Sequence, residues 1–161
     1  MFGLFKTKEK KTVILAPTTG TLMPLDDVTD DVFSQKMMGD GFAVQPEDDQ
    51  VIAPAGGTIS TVFPTKHAIG ITTSEGLDIL IHMGLDTVEL EGKPFSIAVS
   101  LNDHVEAGQA LATMNRDQIK ASGYDDTIVV IYTNMEKLKN YPTVVREHVV
   151  RGSQIGEIVY A

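Results

Sequence analysis

The sequence contains no cysteine. That absence excludes a disulfide framework, a thiolate nucleophile and cysteine-ligated zinc. Basic residues are also scarce: 13 lysines and arginines stand against 22 aspartates and glutamates, a formal net charge of −9. Nucleic-acid phosphates require a basic footprint, so the charge argues against a nucleic-acid partner. It favours solubility and the steering of basic partners instead. No long apolar run and no secretory core segment occur, which leads us to expect a cytoplasmic chain. Helical periodicity is nearly missing as well, and what remains is strand.

At 161 residues the chain is long enough to bury a core without staples, most simply as one domain over residues 12–161. Residues 1–11 form an apolar tip, Met1-Phe2-Gly3-Leu4-Phe5, followed by Lys6, Lys8, Lys10 and Lys11. Its first reading is a flexible tail, and its functional alternative is a weak membrane-surface contact. Strand-forming runs span 12–16, 42–45, 57–63, 67–72, 77–82, 110–114 and 127–132, broken by glycine, proline and aspartate. Short helices are expected over 115–122 and 134–140, capped by Asn115 and Asn134. The chain also echoes itself. Ala16-Pro17-Thr18-Thr19-Gly20-Thr21-Leu22 matches Ala53-Pro54-Ala55-Gly56-Gly57-Thr58-Ile59, and Val105-Glu106-Ala107-Gly108 matches Val149-Val150-Arg151-Gly152. Two copies of each motif, with proline or glycine at the corners, predict a mainly β, antiparallel sandwich with internal duplication.

Two histidines carry the chemistry. His67 and His82 flank a hairpin around Thr73-Ser74-Glu75-Gly76. A turn centred on Ser74-Glu75 sets His67 opposite His82, and a loop centred on Glu75-Gly76 sets them on a diagonal. Either register leaves both imidazoles on one face with Ile69, Ile71, Asp78 and Leu80. Only a loop with an odd number of residues would separate them. Partial desolvation there lowers an imidazole pKa and keeps the ring neutral. If the Gly84 carbonyl accepts a hydrogen bond from one nitrogen of His82, the other nitrogen keeps its lone pair and becomes a nucleophile. His104 and His148 lie in polar surroundings and read as surface residues.

The motifs together resemble the glucose-type enzyme IIA proteins of the bacterial phosphoenolpyruvate-dependent sugar phosphotransferase system. The resemblance rests on Ile14-Leu15-Ala16-Pro17, Gly39-Asp40-Gly41, Val51-Ile52-Ala53-Pro54, Gly57-Thr58-Ile59 and Thr65-Lys66-His67-Ala68. It continues through Ile81-His82-Met83-Gly84-Leu85-Asp86-Thr87-Val88 and Val105-Glu106-Ala107-Gly108. It implies a duplicated β-sandwich phosphotransferase component of the stand-alone form, without cofactor or metal. His82 would be the phosphorylated nucleophile, His67 the support for onward transfer, and Thr65 part of their hydrogen-bond network. The histidine-containing phosphocarrier protein would be the donor and the cysteine of a permease IIB domain the acceptor.

Phosphohistidine carries a charge near −2, so carboxylates at the site, expected at Asp40 and Asp86, oppose holding it and suit basic residues of the donor. Phe33, Met37, Met38, Phe63 and Leu80 are candidates for the apolar rim that partners cover, and methionine suits a face with more than one partner. Met83 and Gly70 depart from the family pattern and are expected to tune which permease is served. Two rivals fit less well. A zinc-dependent peptidase needs a third protein ligand beside the two histidines. A biotinyl or lipoyl carrier needs a hairpin lysine, and Lys36 in Gln35-Lys36-Met37-Met38 has the wrong context.

Overall fold

In a computed structural model, which describes residues 9–161, β-branched and aliphatic runs form fourteen strands with only two short α-helices. The first half runs β1 (Lys11–Leu15), β2 (Gly20–Pro24), α1 (Asp31–Ser34), β3 (Asp40–Pro46), β4 (Gln50–Ile52), β5 (Gly57–Val62), β6 (Ala68–Thr72) and β7 (Asp78–Leu85). The second half runs β8 (Phe95–Ile97), β9 (His104–Val105), β10 (Ala110–Met114), α2 (Arg116–Ala121), β11 (Asp125–Tyr132), β12 (Leu138–Asn140), β13 (Glu147–Val149) and β14 (Gln154–Tyr160). An eight-stranded sheet in the order β13-β2-β3-β11-β7-β6-β5-β9 packs against two three-stranded sheets, β1-β14-β12 and β4-β10-β8. All resolved pairings are antiparallel. Ile69, Ile71, Ile79, Ile81 and Met83 face inward onto Ile14, Ile158, Val51 and Leu111, forming the main core. Burying such aliphatic side chains contributes roughly 1.5–3 kcal/mol each, which is what holds the layers together.

The repeated motifs meet in space. Leu15 N–H donates to the Pro54 carbonyl, and Ile52 N–H donates to the Pro17 carbonyl, both at 2.9 Å. Each copy also clasps its own glycine turn: Gly152 N–H reaches Ala16 O at 3.0 Å, and Gly108 N–H reaches Ala53 O at 2.8 Å. Equivalent residues thus exchange equivalent bonds, the signature of a pseudo-twofold duplication rather than a recurrent turn.

Helix α2 forms where expected: Asn115 accepts from Gln118 N–H at 3.0 Å, and Gly123 leaves the helix with φ +86. The second expected helix does not form. Met135–Lys137 is a single 3-10 turn that runs straight into β12. Asn134, instead of capping it, accepts from Asp78 N–H at 2.8 Å and donates to Gly76 O at 2.9 Å, bracing the β6–β7 loop.

The large sheet has a second apolar face. Ala43, Ala68, Leu80, Val129 and Ile131 project outward there, covered in part by Leu25, Val28 and Phe33 from the 3-10 turn Leu25–Asp27 and helix α1. Asp30 starts that helix, accepting from Val32 N–H at 2.9 Å. The cover is incomplete, and the two candidate histidines stand along its margin.

Residues 1–8 of the N-terminal segment lie outside the described residues, and the expected flexible tail and membrane-surface contact lie there with them. Lys11 already belongs to β1, and Lys10 O accepts from Tyr160 N–H at 3.0 Å. Among the described residues, no helix is long and apolar enough to cross a membrane.

Candidate active site

The register of the β6–β7 hairpin differs from both expected ones. Thr72 pairs with Asp78 and Ala68 pairs with His82, so Ser74-Glu75-Gly76 closes the hairpin beyond the Thr73–Leu77 bond. This is the odd-residue loop. Ile69 and Ile71 therefore face the inner core opposite Ile81 and Ile79, not the histidine face. Continued regularly, the strand would also turn His67 inward, alongside Met83.

The strand does not continue regularly. Lys66 takes φ +60, and His67 lies in the bend before β6 begins at Ala68. Its carbonyl still accepts from Met83 N–H at 2.7 Å, while the chain reversal swings the ring to the outer face. There its centroid lies 4.9 Å from that of His82, with the planes 75° apart. Phe33 meets His82 edge-on at 5.0 Å, and Phe63 meets His67 in the same way at 5.2 Å. The four rings form a row, Phe33–His82–His67–Phe63, along the margin of the outer apolar face.

Each imidazole is held through Nδ1. His82 Nδ1–H donates to the Gly84 carbonyl at 2.7 Å, because a carbonyl only accepts. That bond fixes the tautomer and leaves Nε2 with its lone pair. Thr65 Oγ1 lies 2.7 Å from His67 Nδ1, so Nε2 of that ring is free as well. Gly84 can present its carbonyl because it sits at φ +83, in a bulge where β7 and β11 shift register. A Cβ there would stand 2.4 Å from Thr87 Cγ2 and 2.9 Å from Asp125 O, so no other residue fits.

Burial lowers both imidazole pKa values. His67 is pushed down to about 4, first by desolvation and then by the neighbouring His82. His82 is lowered by desolvation too, with the Gly84 hydrogen bond, Asp30 and Asp86 acting in the opposite direction. Both rings are neutral at physiological pH, and neutrality is the condition for nucleophilic nitrogen.

Asp30 and Asp86, then, are the carboxylates that act on His82. Asp86 holds φ +59 directly before the 3-10 turn Thr87–Leu90. Asp40, expected at the site, is not beside His82. It starts β3 opposite Tyr132, whereas His82 lies across from Val129, further along β11. Its carboxylate accepts from Tyr141 OH at 2.9 Å and Gly41 N–H at 2.8 Å, and pairs with Lys36 at 3.7 Å. Sequence reasoning missed Asp30, although an aspartate at the cap of a helix that delivers Phe33 was a readable signal.

The rim residues divide. Phe33 and Leu80 are buried in the outer apolar cluster, and Phe63 packs against it. Met37 and Met38 are exposed on the turn after α1, and Val32 is exposed within the helix. Val88 is exposed on the far side, beyond Asp86. Met83 is fully buried in the inner core, so it does not face a partner. Gly70 opens an outer groove of about 360 Å³, shared with Ser60, Thr61, Phe63, Asp78 and Leu80. No cluster of metal-ligating side chains occurs among the described residues.

A neutral imidazole with one nitrogen anchored and the other free, beside a second such ring, defines a histidine group-transfer site on a duplicated β-sandwich. Residues 12–138 match the family described as phosphoenolpyruvate-dependent sugar phosphotransferase system, EIIA 1. The glucose-specific EIIA component of Staphylococcus aureus (strain COL) is 38% identical over 152 residues, 94% of this chain and 92% of that protein. The glucose-specific EIICBA component of Streptococcus pneumoniae serotype 4 is 50% identical over 121 residues, which cover 75% of this chain and 17% of that longer protein. The solved glucose permease IIA from Mycoplasma capricolum superposes with a TM-score of 0.83 at 38% identity, covering 92% of this chain and 96% of that one. The chain belongs to the EIIA 1 family, the phosphoryl-carrying components of the sugar phosphotransferase system.

Proposed function

We propose that His82 Nε2 accepts a phosphoryl group from the histidine-containing phosphocarrier protein and passes it to the cysteine of a sugar-permease IIB domain. The observation that carries this reading is the 2.7 Å bond from His82 Nδ1 to the Gly84 carbonyl, which leaves Nε2 as the reactive atom beside His67. In the first transfer the Nε2 lone pair attacks phosphorus, the donor's P–N bond breaks, and its electron pair returns to the donor imidazole. In the second, a cysteine thiolate attacks phosphorus and the His82 N–P bond breaks. No cofactor enters either step, and positioning with charge stabilisation is sufficient.

His67 supports the second transfer. When the Thr65 hydroxyl donates to His67 Nδ1, the His67 ring carries its proton on Nε2 and donates it to a phosphoryl oxygen on His82. Asp30 and Asp86 oppose the phosphoryl charge and keep the group transferable, while they attract the basic groups of a donor. The exposed Val32, Met37, Met38 and Val88 are the apolar contacts such partners cover. Relatives in which this domain is one part of an EIICBA or EIIBCA chain support a IIB domain as acceptor. Those relatives are named for glucose and for beta-glucoside, so the choice of sugar belongs to the permease.

The test is incubation with phosphoenolpyruvate, the first enzyme of the system and the phosphocarrier. One acid-labile, alkali-stable phosphate is expected, absent in His82→Ala. His67→Gln should accept it and fail to deliver it to a IIB cysteine. Wild-type labelling of His82→Ala would overturn the assignment.

A further inference from the structure

Thr87 has no part in the chemistry described so far, yet it is fully buried within five residues of His82. Its hydroxyl donates to the Met83 carbonyl at 2.6 Å. Its methyl carbon lies 2.4 Å from where a Cβ on Gly84 would be, so it fills the space that the glycine leaves. It also begins the 3-10 turn directly after Asp86, which is held at φ +59. The hydroxyl bond thus closes a ring of chain from Met83 to Thr87 that contains both Gly84 and Asp86. Both of those residues act on His82, Gly84 by accepting from Nδ1 and Asp86 by its charge.

We infer that Thr87 is a positioning residue, whose hydroxyl bond to the Met83 carbonyl holds the Gly84 carbonyl on His82 Nδ1 and so sets which ring nitrogen is nucleophilic. The physical argument is one of freedom. Gly84 has no side chain to restrict it, and a glycine at φ +83 has wide conformational latitude unless its flanking peptides are tied. The Met83–Gly84 peptide is tied by Thr87, and the Thr87 methyl packs against the glycine from one side. Releasing the hydroxyl bond lets the Gly84 carbonyl turn away, and His82 then exchanges between its two tautomers. In the second tautomer Nε2 carries the proton and has no lone pair for phosphorus.

This inference rests on the proposed role of His82 in accepting phosphate, and its first readout does not. Long-range ¹H–¹⁵N imidazole spectra of the unphosphorylated full chain report the His82 tautomer directly. The wild type should be wholly Nδ1–H. Thr87→Val, which keeps the shape and removes the donor, should give a tautomer mixture, and Thr87→Ser should restore the wild-type pattern. Chemical phosphorylation by phosphoramidate, which needs no protein donor, should slow about tenfold at Nε2 in Thr87→Val and recover in Thr87→Ser. Thr87→Ala removes the donor without setting a methyl against the Met83 carbonyl, and the same loss is expected should the valine variant not fold. A wild-type tautomer in Thr87→Val would overturn the inference, even if that variant were less stable. So would a serine variant as impaired as the valine one, which would show that the hydroxyl bond by itself does not hold the Gly84 carbonyl. A wild type that phosphoramidate leaves unlabelled at His82 would defeat the proposed function alone.

Discussion

His67 and His82 lie with ring centroids 4.9 Å apart although the register of the strands between them assigns their side chains to opposite faces. The contact depends on Lys66, whose φ of +60 ends the regular strand one residue early. A β-branched residue is the least tolerant of that conformation. Lys66→Val should destabilise the fold by about 1–2 kcal/mol. It should also weaken the proton–proton contacts between the two imidazoles. Chemical denaturation and nuclear Overhauser spectra check the two effects, and an unperturbed ring pair in the variant would contradict the role of Lys66.

Stability should depend on pH through His67. Its folded-state pKa of about 4 lies below the ordinary 6.5, so between those values the unfolded chain binds more protons than the native one. Stability is therefore full above pH 6.5, falls as the pH drops through that window, and levels off below about 4. The whole shift corresponds to at most about 3 kcal/mol. Denaturation midpoints measured from pH 7 to 4 should show a shallower fall in His67→Gln than in the wild type. In His82→Gln, the pKa of His67 should rise, because one cause of its depression is the neighbouring ring.

Gly84→Ala should be among the most damaging substitutions in the chain. The added carbon would stand 2.4 Å from Thr87 Cγ2 and 2.9 Å from Asp125 O, on a backbone at φ +83. A loss of about 3 kcal/mol or more is expected from strain and overpacking together. Thermal unfolding measures it, and the hydrogen-bonded Nδ1 proton of His82 should disappear from the spectrum of any folded fraction.

Asp30 and Asp40 should behave differently. Asp30→Asn keeps an oxygen for the Val32 N–H, so α1 should remain capped at a cost of a few tenths of a kcal/mol. Losing the charge should lower the His82 pKa further, since Asp30 raises it, and should slow association with a basic donor at low salt. Asp40→Asn should leave the His82 titration unchanged. It should cost about 1 kcal/mol through its bonds to Tyr141 and Lys36. Titration by NMR, run beside denaturation, separates the two carboxylates, and a shift of His82 in Asp40→Asn would refute this division.

The duplication, the strand content and the two candidate histidines were legible because each rests on local pattern: Ala-Pro and Gly corners, β-branched runs, and a histidine two residues before a glycine. The helix at Asn115 was legible for the same reason, since its cap and its stop both lie within the segment. The expected helix after Asn134 failed because its cap residue is recruited by Asp78 and Gly76, partners that no local pattern contains. Asp40 was expected at the site through the family resemblance, whereas its separation from His82 follows from the β3–β11–β7 register, which no local pattern contains. Met83 was expected to tune which permease is served, but its burial depends on the face that the β6–β7 register assigns to it.

The sequence by itself determined the chemistry available to this protein: an acidic, cysteine-free β-sandwich with two histidines and a glycine that can free one nitrogen. Tertiary structure alone decided that the histidines meet, that Asp30 rather than Asp40 accompanies them, and that Thr87 closes the loop beneath. The reason is physical. Residue type and alternation are local properties, whereas a left-handed residue at Lys66 and a bulge at Gly84 change which face a side chain occupies, and only the paired strands reveal them.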